Sequence, residues 1–493
     1  MSVDPVQYVG PEMAFPLAGG LYLLMALVAG VHVVLNKKNE ASAFSWLGII
    51  ILAPLLGAVL YWLFGINRIR RRAQAELSEH APLSTAVKTH HVVQSHQCPD
   101  QWQELMKLGL GVHESDYLQA NSLRPLINGD EAYPEMLNAI NNAQQSVVLS
   151  SYIFEHDEAG RQFVSALVAA NHRGVSVRVL IDGLGVGYGL SLVRADRVLR
   201  KQGVKTARFL SALSSSGTRF INLRNHRKIL SVDGKVAFVG GMNIRQGNLL
   251  QTLAKRSGNQ LTQDVHFKVL GPVINQINAV FSADWEFATN EVLSLPDWSD
   301  ENFNTKSELN TEASVSTRVL VDGPDDNYQK LPLTMLGAIN AAKDRVCIVS
   351  PYFLPGSLIM NALHMAVLRG VKVDVCVPAR NNLPFVGWAM RANRRGLLEK
   401  GVHLYESTAP FDHSKLFLVD DYWSLIGSSN WDSRSLELNF EINLECYGSG
   451  LNRSISDIID KKLLKSTEIL ECTDQHLIQR LRNNFCRMFS PYL

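Results

Sequence analysis

His226-Arg-Lys-Ile-Leu-Ser-Val-Asp-Gly-Lys-Val-Ala-Phe-Val-Gly-Gly-Met-Asn243 and His413-Ser-Lys-Leu-Phe-Leu-Val-Asp-Asp-Tyr-Trp-Ser-Leu-Ile-Gly-Ser-Ser-Asn430 are two copies of one pattern. His, Lys, Asp, Gly and Asn recur at identical spacing. A lone His-x-Lys pair in a strand is usually a surface pair, but chance does not write the whole string twice. Residues two apart on a strand project from the same face, so His226 and Lys228 meet one ligand, and so do His413 and Lys415. Apolar runs at 229–232 and 236–239 flank Asp233-Gly234, a favoured hairpin turn, and the second copy repeats this around Asp420-Asp421. Gly240-Gly241 and Gly427-Ser428 then let backbone N–H groups approach an anion, with Asn243 and Asn430 as side-chain donors. The candidate catalytic set is His226, Lys228, Asp233, His413, Lys415 and Asp420. Within it, Asp233 and Asp420 sit at turns, where Asp is favoured for local hydrogen bonding, so they are expected to fix the hairpins and neutralise the lysines more than to move protons.

The repeat is wider than the string. Residues 136–154 align with 335–353, and each segment leads through a helix (about 160–172; about 357–368) to Arg-Gly-Val and another apolar strand (175–181; 371–377). Such alternation argues an α/β fold in each half. Displacement at phosphorus puts the attacking and leaving atoms on opposite sides, so one histidine cannot serve both. The simplest arrangement packs the halves about a pseudo-two-fold axis, with His226 facing His413 across a phosphate and Lys228 and Lys415 neutralising its oxygens. The scheme requires no metal and no cofactor.

The duplicated His-x-Lys-x4-Asp string resembles the signature of the phospholipase D superfamily. The resemblance implies two tandem phospholipase D-like repeats and a phosphohistidine intermediate, with His226 as nucleophile and His413 as acid and base. It also implies a carboxylate after each motif that orients an imidazole, here Asp264 and Glu441. Gly241 stands where a Ser is common, which predicts a missing hydroxyl contact to phosphate on that side.

The remaining chain bears on where this chemistry happens. Among 493 residues the net charge is +2, which argues against a general nucleic-acid binder. Two apolar runs, 17–35 and 44–65, each approach the roughly 20 residues that cross a bilayer, and predict a transmembrane hairpin within an anchor at 1–72. Arg68, Arg70, Arg71 and Arg72 outnumber Lys37 and Lys38, which predicts a catalytic domain facing the cytoplasm. The first run lacks a basic leader, so cleavage is not expected. Residues 73–110 read as a linker, 111–320 as the first half and 321–493 as the second. Within the linker, His90, His91, His96 and Cys98 match metal-site spacing poorly. Six cysteines without tight metal spacing fit reduced core thiols.

Residues 42–47, 60–67 and the arginines after them resemble the N-terminal region of bacterial cardiolipin synthases of the phospholipase D type. That resemblance implies a multi-pass protein of the bacterial cytoplasmic (inner) membrane. It would move a phosphatidyl group from one phosphatidylglycerol to another and release glycerol. A membrane-anchored phospholipase or another phosphatidyltransferase is the alternative, while both complete motifs argue against a non-enzymatic lipid-binding scaffold. Leu383 to Met390 with Arg391, Arg394 and Arg395 reads equally as a segment dipping into anionic lipid or as a packed helix. Gly183 to Gly189, with Tyr188, reads as a strand-to-helix turn in preference to an acceptor-side loop.

Overall fold

The structure is a computed structural model, and it describes residues 11–37, 40–62, 99–113, 115–185, 193–210, 223–253, 261–298, 314–324, 327, 329–471 and 476–490. The chain divides into two compact units, Met1–Arg72 and Ala73–Leu493.

In the first unit, α1 (Pro11–Asn36) is followed by α2 (Glu40–Leu52) and α3 (Pro54–Leu60). Ala29, Val33, Ile50, Ala58 and Tyr61 form its small core, and the Tyr61 hydroxyl lies 2.8 Å from His32 Nδ1. The run expected to be one span over 44–65 is broken. Pro54 has no N–H to donate into the preceding turn and clashes with a continuing helix, so α2 stops at Leu52 and α3 starts afresh. At 1.5 Å per residue α2 is about 20 Å long, short of a hydrocarbon core of about 30 Å. The side chains of α1 are described at Gly20 and from Leu23 onward. Among the described residues no helix is long and apolar enough to cross a membrane, so the expected two-span, multi-pass hairpin is not supported. Arg68, Arg70, Arg71 and Arg72, on which the orientation rested, lie outside the described residues, as do His90, His91, His96, Cys98 and most of the 183–189 segment.

The second unit is built on a fifteen-stranded sheet. The first half supplies β1 (Leu118–Ile127), β2 (Ser146–Ser151), β3 (Ser176–Asp182), β4 (Lys205–Phe209), β5 (Ile229–Val232), β6 (Val236–Gly240), the short β7 (Thr262–Gln263) and β8 (Val265–Leu270). The second supplies β9 (Val315–Asp322), β10 (Arg345–Val349), the short β11 (Phe353–Leu354), β12 (Lys372–Pro378), β13 (His403–Ser407), the short β14 (Phe411–Asp412), β15 (Leu416–Val419), β16 (Trp423–Gly427), the short β17 (Trp431–Asp432), β18 (Glu441–Tyr447) and β19 (Thr467–Ile469). The spatial order is β19-β13-β12-β10-β15-β16-β18-β9-β1-β8-β6-β5-β2-β3-β4. Read outward from the antiparallel β9–β1 junction, the two sides match strand for strand until β19. This is the α/β fold with tandem repeats about a pseudo-two-fold axis that the sequence predicts. By that symmetry the second half begins with β9, so the expected boundary at 320/321 falls inside a strand.

The matched helices are Glu158–His172 and Ser357–Leu368. Each runs into an Arg-Gly-Val turn whose glycine has a positive φ, +89° at Gly174 and +88° at Gly370, a conformation glycine adopts without strain. The arginines before them do the same work twice. Arg173 donates to Ile140 O at 3.0 Å and Arg369 to Ile339 O at 2.9 Å, satisfying carbonyls at the ends of two further matched helices. Each half has its own apolar core. Among the described residues four free cysteines, Cys347, Cys376, Cys446 and Cys486, are buried; burial pushes the Cys376 thiol up to about 11.

Where the sequence reads as linker through Leu110, residues Asp100–Val112 are helical. Trp102, Leu105 and Met106 join the core of the second half, and Trp102 stacks on Tyr422 at 6.0 Å. Its carboxyl end meets a buried ion pair at the centre of the sheet. Arg318 on β9 donates to Glu445 on β18 at 2.6 Å and to Gly109 O at 2.8 Å, with its guanidinium 4.4 Å from the Tyr117 ring. Glu445 also accepts from Trp423 Nε1 at 3.0 Å and the Tyr447 hydroxyl at 2.7 Å.

Asp233 and Asp420 stand at the tips of the β5–β6 and β15–β16 hairpins, with φ of +53° and +50°. Asp233 accepts from Gln144 N, Gln145 N and Ser146 N at 2.8–2.9 Å, and Asp420 accepts from Asp344 N and Arg345 N at 2.9 Å. Both therefore tie a hairpin tip to the entry of the neighbouring strand. Their oxygens meet backbone amides where pairing with Lys228 and Lys415 was expected.

Two stability outcomes follow from these contacts. Arg318→Ala leaves a buried carboxylate without its cation and should cost about 3–5 kcal/mol, measured by denaturant unfolding; a loss within the noise of surface substitutions contradicts the central role of this pair. Asp233→Ala orphans three amides and should cost about 1–3 kcal/mol while His226 keeps its position. A histidine crosspeak displaced by Asp233→Ala in NMR spectra overturns that separation.

Candidate functional site

Four side chains of the doubled string, those of His226, Lys228, His413 and Lys415, come together where the two halves of the second unit meet. His226 and His413 face each other with ring centroids 6.4 Å apart and planes at 78°. Each follows an extended segment that the other half holds. His226 N donates to Phe440 O at 2.9 Å and Phe440 N to Arg224 O at 2.8 Å, while β14 pairs with β7 in parallel and His413 N donates to Gln263 O at 2.8 Å.

The residues after those acceptors are the two expected carboxylates, and they cross over. Nδ1 of His226 lies 3.0 Å from Glu441 Oε2, and Nδ1 of His413 lies 2.9 Å from Asp264 Oδ2. Each imidazole is thus oriented by the opposite half, where the sequence reading gave each half its own carboxylate. With Nδ1 engaged, Nε2 is the nitrogen turned to chemistry, and on His413 it faces the Lys415 ammonium at 3.0 Å.

Burial dominates the electrostatics. It pulls His226 and His413 down to about 4, so both imidazoles are neutral near pH 7. Burial also lowers Lys415 to about 8 and Lys228 well below its usual range. For Glu441 burial works the other way, yet His226 and Lys228 hold its carboxyl below the ordinary value. Lys415 Nζ stands 3.0 Å from His413 Nε2, and Lys228 Nζ lies 5.6 Å over the Tyr152 ring.

The small residues after the strands are required by close packing around the carboxylates. A Cβ on Gly240 would come within 2.7 Å of His266 Nδ1, and one on Gly427 would overlap Ile442 O; both glycines let β6 and β16 press against β8 and β18. A Cβ on Gly241 would stand 2.6 Å from Asp264 Oδ1, so Gly241 makes room for the carboxylate that holds His413. Its counterpart Ser428 is fully buried and donates its hydroxyl to Glu441. The hydroxyl absent at Gly241 is, on the Ser428 side, a contact to a carboxylate. Asn243 Oδ1 accepts from Ile153 N at 3.0 Å, and Asn430 Nδ2 donates to Ser435 Oγ at 3.1 Å; Asn430 Oδ1 is buried with no hydrogen-bond partner.

Two pocket residues escaped the sequence reading. Tyr152 meets the His226 ring edge-on at 5.2 Å, and Tyr352 meets the His413 ring at 6.4 Å. Both follow the carboxyl ends of buried strands, β2 and β10, where ligands of α/β sheets gather. That position was the available signal. The segment 383–395 forms a packed helix, Pro384–Leu398, with Val386, Ala389, Met390 and Leu397 buried. It lines a small cavity with Phe353, Pro378 and Leu404.

The sequence matches the family model described as "Cardiolipin synthase, PLD-like domain" over residues 136–285 and 335–463. Residues 24–65 match the model described as phospholipase D-nuclease N-terminal. Cardiolipin synthase A of Pseudomonas fluorescens is 30% identical, covering 99% of this chain and all of that protein. Cardiolipin synthase of Clostridium perfringens is 28% identical over 93% of this chain and 96% of its own. Among solved structures, a phosphatidylserine synthase from Haemophilus influenzae superposes with a TM-score of 0.61 at 14% identity, over 79% of this chain and 100% of that one, which shows a shared fold. Both histidine strings fall inside the matched segments, and the curated similarity runs nearly end to end: this chain belongs to the phospholipase D-like cardiolipin synthase family.

Proposed function

We propose that this protein is a cardiolipin synthase that moves a phosphatidyl group from one phosphatidylglycerol to another through a phosphohistidine. The observation that carries the reading is the pair of facing imidazoles, each held through Nδ1 by a buried carboxylate. In this scheme His226 Nε2 attacks phosphorus and the bond to the departing glycerol oxygen breaks as His413 hands that oxygen a proton. The hydroxyl of a second phosphatidylglycerol then gives its proton to His413, its oxygen bonds phosphorus, and His226 leaves. Glu441 stabilises the charge that His226 gains in the intermediate. His413 is neutral in the empty pocket, so the anionic phosphodiester must raise its affinity for a proton on arrival. Lys228 and Lys415 flank the space between the rings and would neutralise the equatorial oxygens. Asp233 and Asp420 act at a distance, by holding the strands.

Lipid as the substrate class also has support in the first unit. Leu23, Leu24, Leu27, Val31, Val34 and Leu35 of α1 are each at least half exposed, as are Phe44, Ile51 and Leu52 of α2. Apolar surface of that extent is suited to lipid contact, which would keep the enzyme at the membrane.

Purified protein with phosphatidylglycerol vesicles should yield cardiolipin and glycerol in equal amounts by mass spectrometry; phosphatidic acid as the main product would favour hydrolysis instead. His226→Ala and His413→Ala should each lower turnover by about 10³-fold or more, with acid-quenched phosphatidyl-enzyme trapped only in His413→Ala. Trapping in His226→Ala would reverse the assignment. Burial sets the pH response. The histidines titrate at about 4 when folded and at about 6.5 when unfolded, so the unfolded chain binds more protons between those values. Stability should be complete above pH 6.5 and fall towards pH 4, and an unfolding midpoint that stays level across that window contradicts a neutral pair.

A further inference from the structure

The C-terminal helix Leu477–Met488 is amphipathic and turned inside out. Leu477, Ile478, Leu481, Phe485 and Met488 are 57–80% exposed, whereas Asn483 and Cys486 are buried against the protein. At 100° per residue the five apolar side chains fall in one arc of about 100°, opposite the buried pair. Arg480 and Arg487 border that arc on one side and Arg482 on the other, and the helix contains no acidic residue. The inward contacts fix this orientation: Arg482 lies 4.4 Å over the Trp388 ring and Phe489 meets Phe385 at 5.9 Å. Trp388 and Phe385 belong to the helix Pro384–Leu398, which shares a cavity with Phe353, the residue after Tyr352.

An apolar stripe bordered by the exposed Arg480 and Arg487 matches an anionic bilayer, whose acyl boundary takes the stripe while its phosphates take those cations; Arg482, on the other border, is held inward on Trp388. A second copy of the chain would add a helix of the same positive charge, with no acidic residue to pair Arg480 and Arg487. We propose that Leu477–Met488 is an interfacial lipid-binding helix that seats the second half of the sheet unit on anionic membrane. The packed helix beneath it links that contact to the His413 side of the pocket. This inference rests on the helix itself and does not require that phosphatidylglycerol be converted.

The test uses the full-length protein carrying a nitroxide at Phe485→Cys, with Cys98 and Cys472 replaced by Ser. In phosphatidylglycerol vesicles the label should become more accessible to oxygen than to a water-soluble nickel complex, and Arg480→Gln with Arg487→Gln should reverse that preference. A label still open to nickel in those vesicles overturns the proposal, as does dipolar broadening that grows with protein concentration, the sign of a second copy. A second arm uses Leu481→Asp with Phe485→Asp, both exposed sites. Turnover of vesicle-borne phosphatidylglycerol should fall by about tenfold or more, with turnover of dissolved short-chain phosphatidylglycerol unchanged; equal losses on both overturn the proposal. If the unsubstituted protein converts neither substrate, the functional reading fails, and the spin label still decides the helix.

Discussion

Each of the two imidazoles hangs from the opposite half of the fold. His226 is held at its amide by Phe440 and at Nδ1 by Glu441, and His413 is held likewise by Gln263 and Asp264. Neither half can set its own histidine. The continuous sheet follows from that need, since the crossed contacts keep their geometry only if β1 and β9 join the repeats rigidly. The buried Arg318–Glu445 pair sits at that junction, where an unpaired charge would be costly.

The same crossing explains the small residues around the pocket. Gly240 and Gly427 let the strands that bear the histidine strings approach the strands that carry the carboxylates. Gly241 and Ser428 then complete two unequal environments, one leaving room for Asp264 and the other donating to Glu441. Buried as they are, the imidazoles stay neutral and the lysines hold their protons less tightly, so the charge of an arriving phosphodiester would be weakly screened.

Much of this was legible from residues alone where the signal was local or repeated. The hairpins around Asp233 and Asp420, the helices after β2 and β10 and the Arg-Gly-Val turns all carry short-range patterns written twice. The helix Asp100–Val112 has a readable 3.6-residue spacing in Trp102, Leu105, Met106 and Gly109, but the polar stretch before it obscured the pattern. Pro54 marked the break between α2 and α3, and total hydropathy outweighed it. Apolar content also drew attention to Leu383–Met390. It could not distinguish that packed helix from Leu477–Met488, whose apolar side is exposed, because hydropathy does not say which face is already covered.

The sequence by itself determined that the chain holds two copies of one α/β unit and that each brings a histidine and a lysine to one face of a strand. Backbone periodicity and exact spacing suffice for that, because they act within a few residues, whereas Asp264 and Glu441 were pointed to by the family resemblance and not by spacing. Only the tertiary structure decided which carboxylate serves which histidine, where Tyr152 and Tyr352 stand, and that Gly241 and Ser428 face carboxylates. Those are contacts between residues far apart in the chain, and they exist only once the β9–β1 junction has set one half against the other.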